Sequence, residues 1–162
     1  MKKILLGFIA IGLLTFVGCG TSKIGGTSKI EGSGVTDVDG NIYNSVIIGK
    51  QEWMSQNLNV DHFRNGDIIP EAKTDEDWEK AGIENRPAWC YYENDISFGE
   101  QDGKLYNWYA VNDSRGVAPE GWHVPTDAEW TVLADYLTAN GYKGKALKST
   151  SGWDDYDWDG YE

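Results

Sequence analysis

The chain has 162 residues, with 26 acidic side chains against 14 Lys and Arg, for a formal net charge of −12. A surface this acidic repels phosphate backbones and anionic lipid headgroups, which argues against nucleic acid as a partner and against electrostatic attachment to membranes. Two cysteines make no disulfide framework, so stability has to come from packing, for which 8 Trp and 9 Tyr against 4 Phe and 2 Met are the material.

The N-terminus is the most informative stretch. Met1-Lys-Lys3 is positive, residues 4–17 are apolar apart from glycines and Thr15, and Gly18-Cys19 places a small residue before a cysteine. That is the three-part pattern of a secretory signal. The apolar run falls short of the roughly 20 residues a membrane-spanning helix needs. Phe16-Val-Gly-Cys19 resembles the lipobox of bacterial lipoproteins, in which the cysteine is acylated with palmitate-type chains and becomes the first residue of the mature protein. The alternative is an ordinary secretory signal with Cys19 incidental. Residues 1–18 are therefore expected to be a lipoprotein signal peptide and Cys19 the site of lipidation. Losing Lys2 and Lys3 with the leader takes the formal charge from −12 to −14 and leaves 144 residues, enough for one domain. Membrane attachment is expected through the N-terminal lipid alone, at about 0.8 kcal/mol per buried methylene. Cys90 is then left without an intrachain partner.

Residues 19–34 form a Gly- and Ser-rich stretch with an imperfect tandem copy, Gly20-Thr-Ser-Lys-Ile24 and Gly26-Thr-Ser-Lys-Ile30, which reads as a flexible tether. The domain is placed at residues 35–162. Asp39-Gly40 between residues 36–38 and 42–48 predicts a hairpin, and Gly49-Lys50 turns into a further strand over residues 51–54. Residues 57–70 read as irregular. Thr74 followed by three acids predicts a short helix to about Lys80, stopped by Gly82. Residues 88–92 read as a strand and 93–103 as a polar loop. Leu105, Trp108, Tyr109 and Asn112 fit helical spacing, so residues 105–111 are predicted helical. After Pro125, Thr126 with Glu129 makes a capping box, and Trp130, Leu133, Ala134 and Leu137 share one apolar face, ended by Asn140-Gly141. Residues 144–150 suit a returning strand.

Five ordered blocks carry a resemblance: Asp39-Gly-Asn-Ile-Tyr43, Ile48-Gly-Lys-Gln-Glu-Trp-Met54 with Gln56-Asn-Leu58, Gly103-Lys-Leu-Tyr-Asn-Trp-Tyr-Ala110, Gly121-Trp-His-Val-Pro-Thr-Asp-Ala-Glu-Trp130 and Lys145-Ala-Leu-Lys-Ser-Thr150. Together they resemble the Fibrobacter succinogenes major paralogous domain, typical of exported and often lipid-anchored bacterial proteins. The resemblance implies an α+β, C-type-lectin-like fold shared with formylglycine-generating enzymes, with a small twisted antiparallel sheet, two main helices and long loops. The family pattern continues past the acidic stretch into further strands. This chain ends at Glu162, so the domain is expected to be incomplete, with its closing strands missing.

The candidate chemistry is sparse. Trp53, Trp108, Trp122 and Trp130 are expected in the core. Trp89, Trp153 and Trp158 are the rings free to stack on a ligand such as a sugar face. Asp155, Asp157 and Asp159 with Gly160 match the first half of a calcium loop, but its closing bidentate acid falls beyond Glu162, so a solvated acidic loop is preferred and no cofactor is expected. His62 and His123 lack metal-ligand spacing, and Cys90 between Trp89 and Tyr91 reads as packing. The expected function is a non-catalytic binding or adhesion module for glycan or protein, lipid-anchored in the cell envelope at the outer membrane or cell surface. The alternatives are a relative of the formylglycine-generating enzymes, whose redox cysteines have no counterpart here, and a structural envelope component without a small ligand.

Overall fold

A computed structural model of the chain describes residues 2–4, 30–142 and 147. Strand β1 (Lys2–Ile4) and strand β2 (Ile30–Glu31) flank a hairpin of residues 45–54. The next pair is β3 (Val35–Thr36) with β4 (Ile42–Tyr43), antiparallel in the register Val35 to Tyr43 and Thr36 to Ile42. Asp37 knits the turn between them. Its Oδ1 accepts from the backbone of Asp39 and Asn41, and its Oδ2 accepts from the Asn41 amide and, at 2.6 Å, from the Tyr43 hydroxyl. Gly40 takes a positive φ of 87° that the turn requires.

Strand β5 (Ser45–Ile48) turns at Gly49 into β6 (Gln51–Met54), antiparallel from Ser45–Met54 to Ile48–Gln51. The four strands order as β1-β6-β5-β2, with β1 parallel to β6 and β2 antiparallel to β5. All of β6 is buried. Ile30–Glu31, in the stretch read as tether, belong to the sheet, and Gly32 N–H donates to the Ser45 carbonyl. A Cβ on Gly32 would run into Ser45 and Glu52, so the last part of the Gly/Ser stretch is packed backbone rather than free linker.

Helix α1 (Asp75–Ile83) is capped by Thr74, whose hydroxyl accepts from Asp77 N–H, and runs one residue past Gly82. It closes a small satellite core of Ala72, Ala81, Ala88 and Cys90. Strand β7 (Trp89–Cys90) is shorter than predicted, because the chain leaves it for two 3₁₀ turns at residues 92–94 and 96–98. These lead into the one-turn helix α2 (Gly99–Asp102). The helix expected over residues 105–111 is split. Leu105–Tyr106 forms β8 against β7, and only Trp108–Val111 is helical, as α3. Pairing to β7 outweighs the local 3.6-residue periodicity here. Asn107 marks the break by accepting from Ala88 and Ala110 N–H and donating to the Arg86 carbonyl.

Helix α4 (Asp127–Ala139) has the predicted capping box and buries Leu133 and Leu137. It lies over the β5–β6 hairpin. Gln51 Nε2 donates to the Glu129 carbonyl, and the Tyr136 ring covers Gly49, where an added Cβ would come within 2.8 Å of it. The main core between α4 and the hairpin holds Trp53, Met54, Val60, Phe63, Ile69 and Trp122. Arg115 lies over the Phe63 ring at 4.0 Å and grips both oxygens of Asp113, which ties the irregular 57–70 segment to the 113–117 loop. The architecture is α+β, with short strands, helices and long hydrogen-bonded loops. Leu147 packs against this core, but the strand expected at residues 144–150 otherwise lies outside the described residues.

Two of the four tryptophans expected in the core do not belong to it. Trp53 and Trp122 are buried, but Trp108 is 60% exposed and Trp130 37%. Once residues 105–106 join the sheet, Tyr106 turns inward and its hydroxyl donates to the Val60 carbonyl at 2.7 Å. Ala110, with no solvent exposure, is then the residue of α3 that reaches the core, and Trp108 points out. Trp130 sits at the margin of the α4 stripe and leans on Trp53 with ring centroids 4.9 Å apart.

Candidate functional site

Of the predicted ligand-contacting rings, only Trp89 falls among the described residues, and the structure corrects its role. It is 6% exposed in β7, edge-on to Tyr91, with the Lys104 ammonium 4.3 Å from its ring centroid. A ring whose face is taken by a buried cation presents no surface to a sugar. Lys104 comes from the turn before β8, and its Nζ also donates to Asp61 Oδ1 at 2.7 Å and to the Asn59 carbonyl at 3.2 Å. This lysine thus joins the irregular 57–61 segment to the β7–β8 pair through ion pair, carbonyl and ring. The feature is structural, and it arises from residues 45 positions apart that sequence spacing does not connect.

Cys19, Trp153, Trp158, Asp155, Asp157 and Asp159 lie outside the described residues. Among the described residues there is no group of three or more His, Cys, Asp or Glu arranged to hold a metal ion, and no helix long and apolar enough to cross a membrane. Cys90 is buried, and burial, helped by the nearby Asp75 charge, pushes its thiol up to about 11. It is held as the thiol at neutral pH, a poor nucleophile.

Both histidines are engaged by carboxylates. His62 Nδ1 lies 2.6 Å from Asp39 Oδ1 beside the first hairpin turn. His123 Nε2 lies 2.9 Å from both oxygens of Glu129, which also accepts from the Thr126 backbone and hydroxyl. Burial alone would raise the Glu129 carboxyl, but the Thr126 and His123 hydrogen bonds outweigh it and bring it down to about 2. A carboxylate lowered from 4.5 in this way stabilises the fold at pH above 4.5, and that contribution is lost as the pH falls toward 2. Glu129→Gln is expected to cost about 1–2 kcal/mol at pH 7 and to flatten the acid limb of stability below pH 4.5. Urea unfolding at pH 7 and pH 3 checks both; a variant as acid-sensitive as the parent removes Glu129 from that role.

Two surface features remain. The first is an open cleft of about 200 Å³ between the first hairpin and the 117–120 loop, lined in part by Asp37, Val38, Arg64 and Glu120. Arg64 is held along its wall by donating to the carbonyls of Ala118 at 3.0 Å and Trp122 at 3.2 Å. Asp37 is occupied by its own turn, so the cleft offers little unspent polarity, and its volume is below the roughly 300 Å³ of a small-molecule pocket.

The second feature is apolar and exposed. Tyr92 stands edge-on to Phe98 at 5.4 Å, with Ile96 between them in sequence and 72% exposed, and Trp108 is exposed separately at the start of α3. Glu93 and Asn94 in this segment adopt positive φ of 52° and 56°, an unusual backbone for non-glycine residues. Asn94 is pinned by donating to Asp75 of α1 at 2.9 Å. Such ordered rings on a surface carry both stacking area and polar edges. They were missed from sequence because the segment reads as a polar loop, and because Trp108 fits a helical stripe.

No curated protein and no solved structure matches the chain. The model of the Fibrobacter succinogenes major domain matches residues 46–160, from β5 through the capped helix and beyond. That span covers the second hairpin, the Lys104 junction and the Thr126 box, so the chain belongs to the Fibrobacter succinogenes major domain family.

Proposed function

We propose that this protein is a lipid-anchored module of the bacterial cell envelope, held at the outer membrane or cell surface by acylated Cys19, that binds a glycan or protein ligand without catalysing a reaction. The leader sequence supports the anchor: a charged start, a short apolar run and Gly18-Cys19 at its end. The C-type-lectin-like topology is part of the same proposal and follows from the resemblance in the five sequence blocks. Ordered aromatic exposure is the observation that carries the binding reading, with Trp108 at 60% its largest ring.

The experiment is retention of the protein on cellulose and on a glycan array, beside the Trp108→Ala variant. Removing one stacking ring is expected to weaken retention by about 0.5–1.5 kcal/mol while leaving thermal stability within about 0.5 kcal/mol, as for an exposed side chain. Retention that does not change on losing this ring removes Trp108 from the site, and no retention on any glycan turns the reading toward a protein ligand, sought by cross-linking in cells.

A further inference from the structure

We infer that Asn65 is a self-modification site: its side chain closes onto the Gly66 backbone nitrogen, loses ammonia and reopens as aspartate or isoaspartate, which loosens the clasp between the 63–67 turn and the 113–117 loop. The reaction consumes only water, and the inference stands apart from the proposed anchor and ligand.

The turn favours this chemistry. Asn65 and Gly66 are exposed, and a Cβ placed on Gly66 would meet nothing within 4 Å. Gly66 holds a positive φ of 89°, and its missing side chain leaves the approach of its nitrogen to the Asn65 side chain unhindered. Asn65 Oδ1 accepts from Asp67 N–H at 3.1 Å, which draws electrons from Cγ, the carbon that is attacked. The same donor stabilises the negative charge this oxygen takes up in the tetrahedral intermediate. In the first step the Gly66 nitrogen gives up its proton and bonds to Cγ, the Cγ–Nδ2 bond breaks, and the amide group leaves as ammonia with the proton. Water then opens the cyclic imide. Cleavage at Cγ leaves aspartate, and cleavage at the main-chain carbonyl leaves isoaspartate, with the backbone routed through the former side chain.

The chain holds a second Asn-Gly pair, Asn140-Gly141, that is less well prepared. Both glycine N–H groups are bonded to a carbonyl, Gly66 to Phe63 at 2.8 Å and Gly141 to Thr138 at 3.0 Å, so either turn must open before attack. Asn140, however, is the C-cap of α4, and its Nδ2 donates to the Tyr136 carbonyl at 2.8 Å. Freeing that amide uncaps a helix, whereas opening the 63–66 turn does not.

Conversion acts on the clasp through Asp67. Arg115 Nη1 donates to Asp67 Oδ2 at 3.1 Å, and Arg64 N–H donates to the Gly116 carbonyl at 2.8 Å. The Asn65 side chain, ahead of Arg115, is the largest cause holding the Asp67 carboxyl below its usual range. Replacing that amide with a carboxylate removes a donor and sets a like charge beside Asp67. Isoaspartate also lengthens the main chain inside the bond from Phe63 N–H to the Asp67 carbonyl.

The test holds the folded full chain at pH 8 beside a synthetic peptide of residues 61–71 and maps both by peptide mass spectrometry. Position 65 is expected to show the mass gain of an amide turned acid, as both aspartate and isoaspartate, ahead of any gain at position 140. A folded chain that stays unconverted while the peptide converts overturns the inference. So does aspartate as the only product, which signals direct hydrolysis, and so does Asn140 converting first. The Asn65→Asp variant reads the consequence: the Asp67 carboxyl is expected to titrate higher than in the parent, and the Arg64 amide to exchange about three- to fivefold faster. An unchanged Asp67 titration with unchanged Arg64 exchange means that the clasp survives, and it overturns the loosening.

Discussion

Cys19→Ser is expected to abolish incorporation of a fatty-acid analogue into this protein and to release it from the membrane fraction. For the proposed anchor the effect is close to all-or-none, because the thioether and the processing step both need the sulfur. The mature chain would carry a formal charge of −14, which opposes adsorption to anionic headgroups. No helix among the described residues is long and apolar enough to span a bilayer. In the proposed anchor, acyl chains on Cys19 would contribute about 0.8 kcal/mol for each buried methylene, so their loss would remove that affinity. Labelling in growing cells followed by fractionation reads both outcomes. A parent protein that takes up no label disproves the anchor, and a Cys19→Ser chain that still sediments with membranes shows a second attachment.

Trp53→Ala is expected to be the most damaging single change to the domain. Trp53 has no solvent exposure, sits in β6 between the hairpin and α4, and bears the tilted ring of Trp130 on one side. Truncating a buried tryptophan costs about 3–5 kcal/mol through lost contact and the cavity left behind. Set against the roughly 5–15 kcal/mol that holds a domain together, that brings the protein to the margin of folding. Trp53→Phe should cost much less. The indole Nε1 has no acceptor among the described residues, so the smaller ring also removes a buried donor that is desolvated without a partner. Urea midpoints of the two variants decide the matter. Equal losses would mean that the indole edge contributes packing that phenylalanine cannot replace.

These two residues show different kinds of legibility. The proposed role of Cys19 rests on its neighbours in sequence, because the three-part pattern of a leader needs only order along the chain. Trp53 is expected in the core and is buried there, whereas Trp108, also expected in the core, is exposed, and Trp89, expected to be free, is buried. Trp108 shares helical spacing with Leu105 and Asn112, yet Leu105 pairs with Cys90 across a sheet. That pairing rotates the following turn and leaves the indole outside. Trp89 looks free in sequence, yet Lys104 reaches its face from the turn before β8. The stretch before Val35 reads as linker, yet Ile30–Glu31 finds β5 and joins the sheet.

What local sequence determined, then, is whatever depends on near neighbours: the Asp39-Gly40 and Gly49 turns, the Thr74 cap, the Thr126–Glu129 box and the apolar stripe of α4. Capping and turn chemistry act within about four residues, so their signals survive in the order of the chain. Tertiary structure alone decided which tryptophans face solvent, where the buried lysine finds its carboxylate, and which strand covers the edge of β6. Those outcomes are set by pairings between distant segments, and a sheet register that places one residue inward places its neighbour outward.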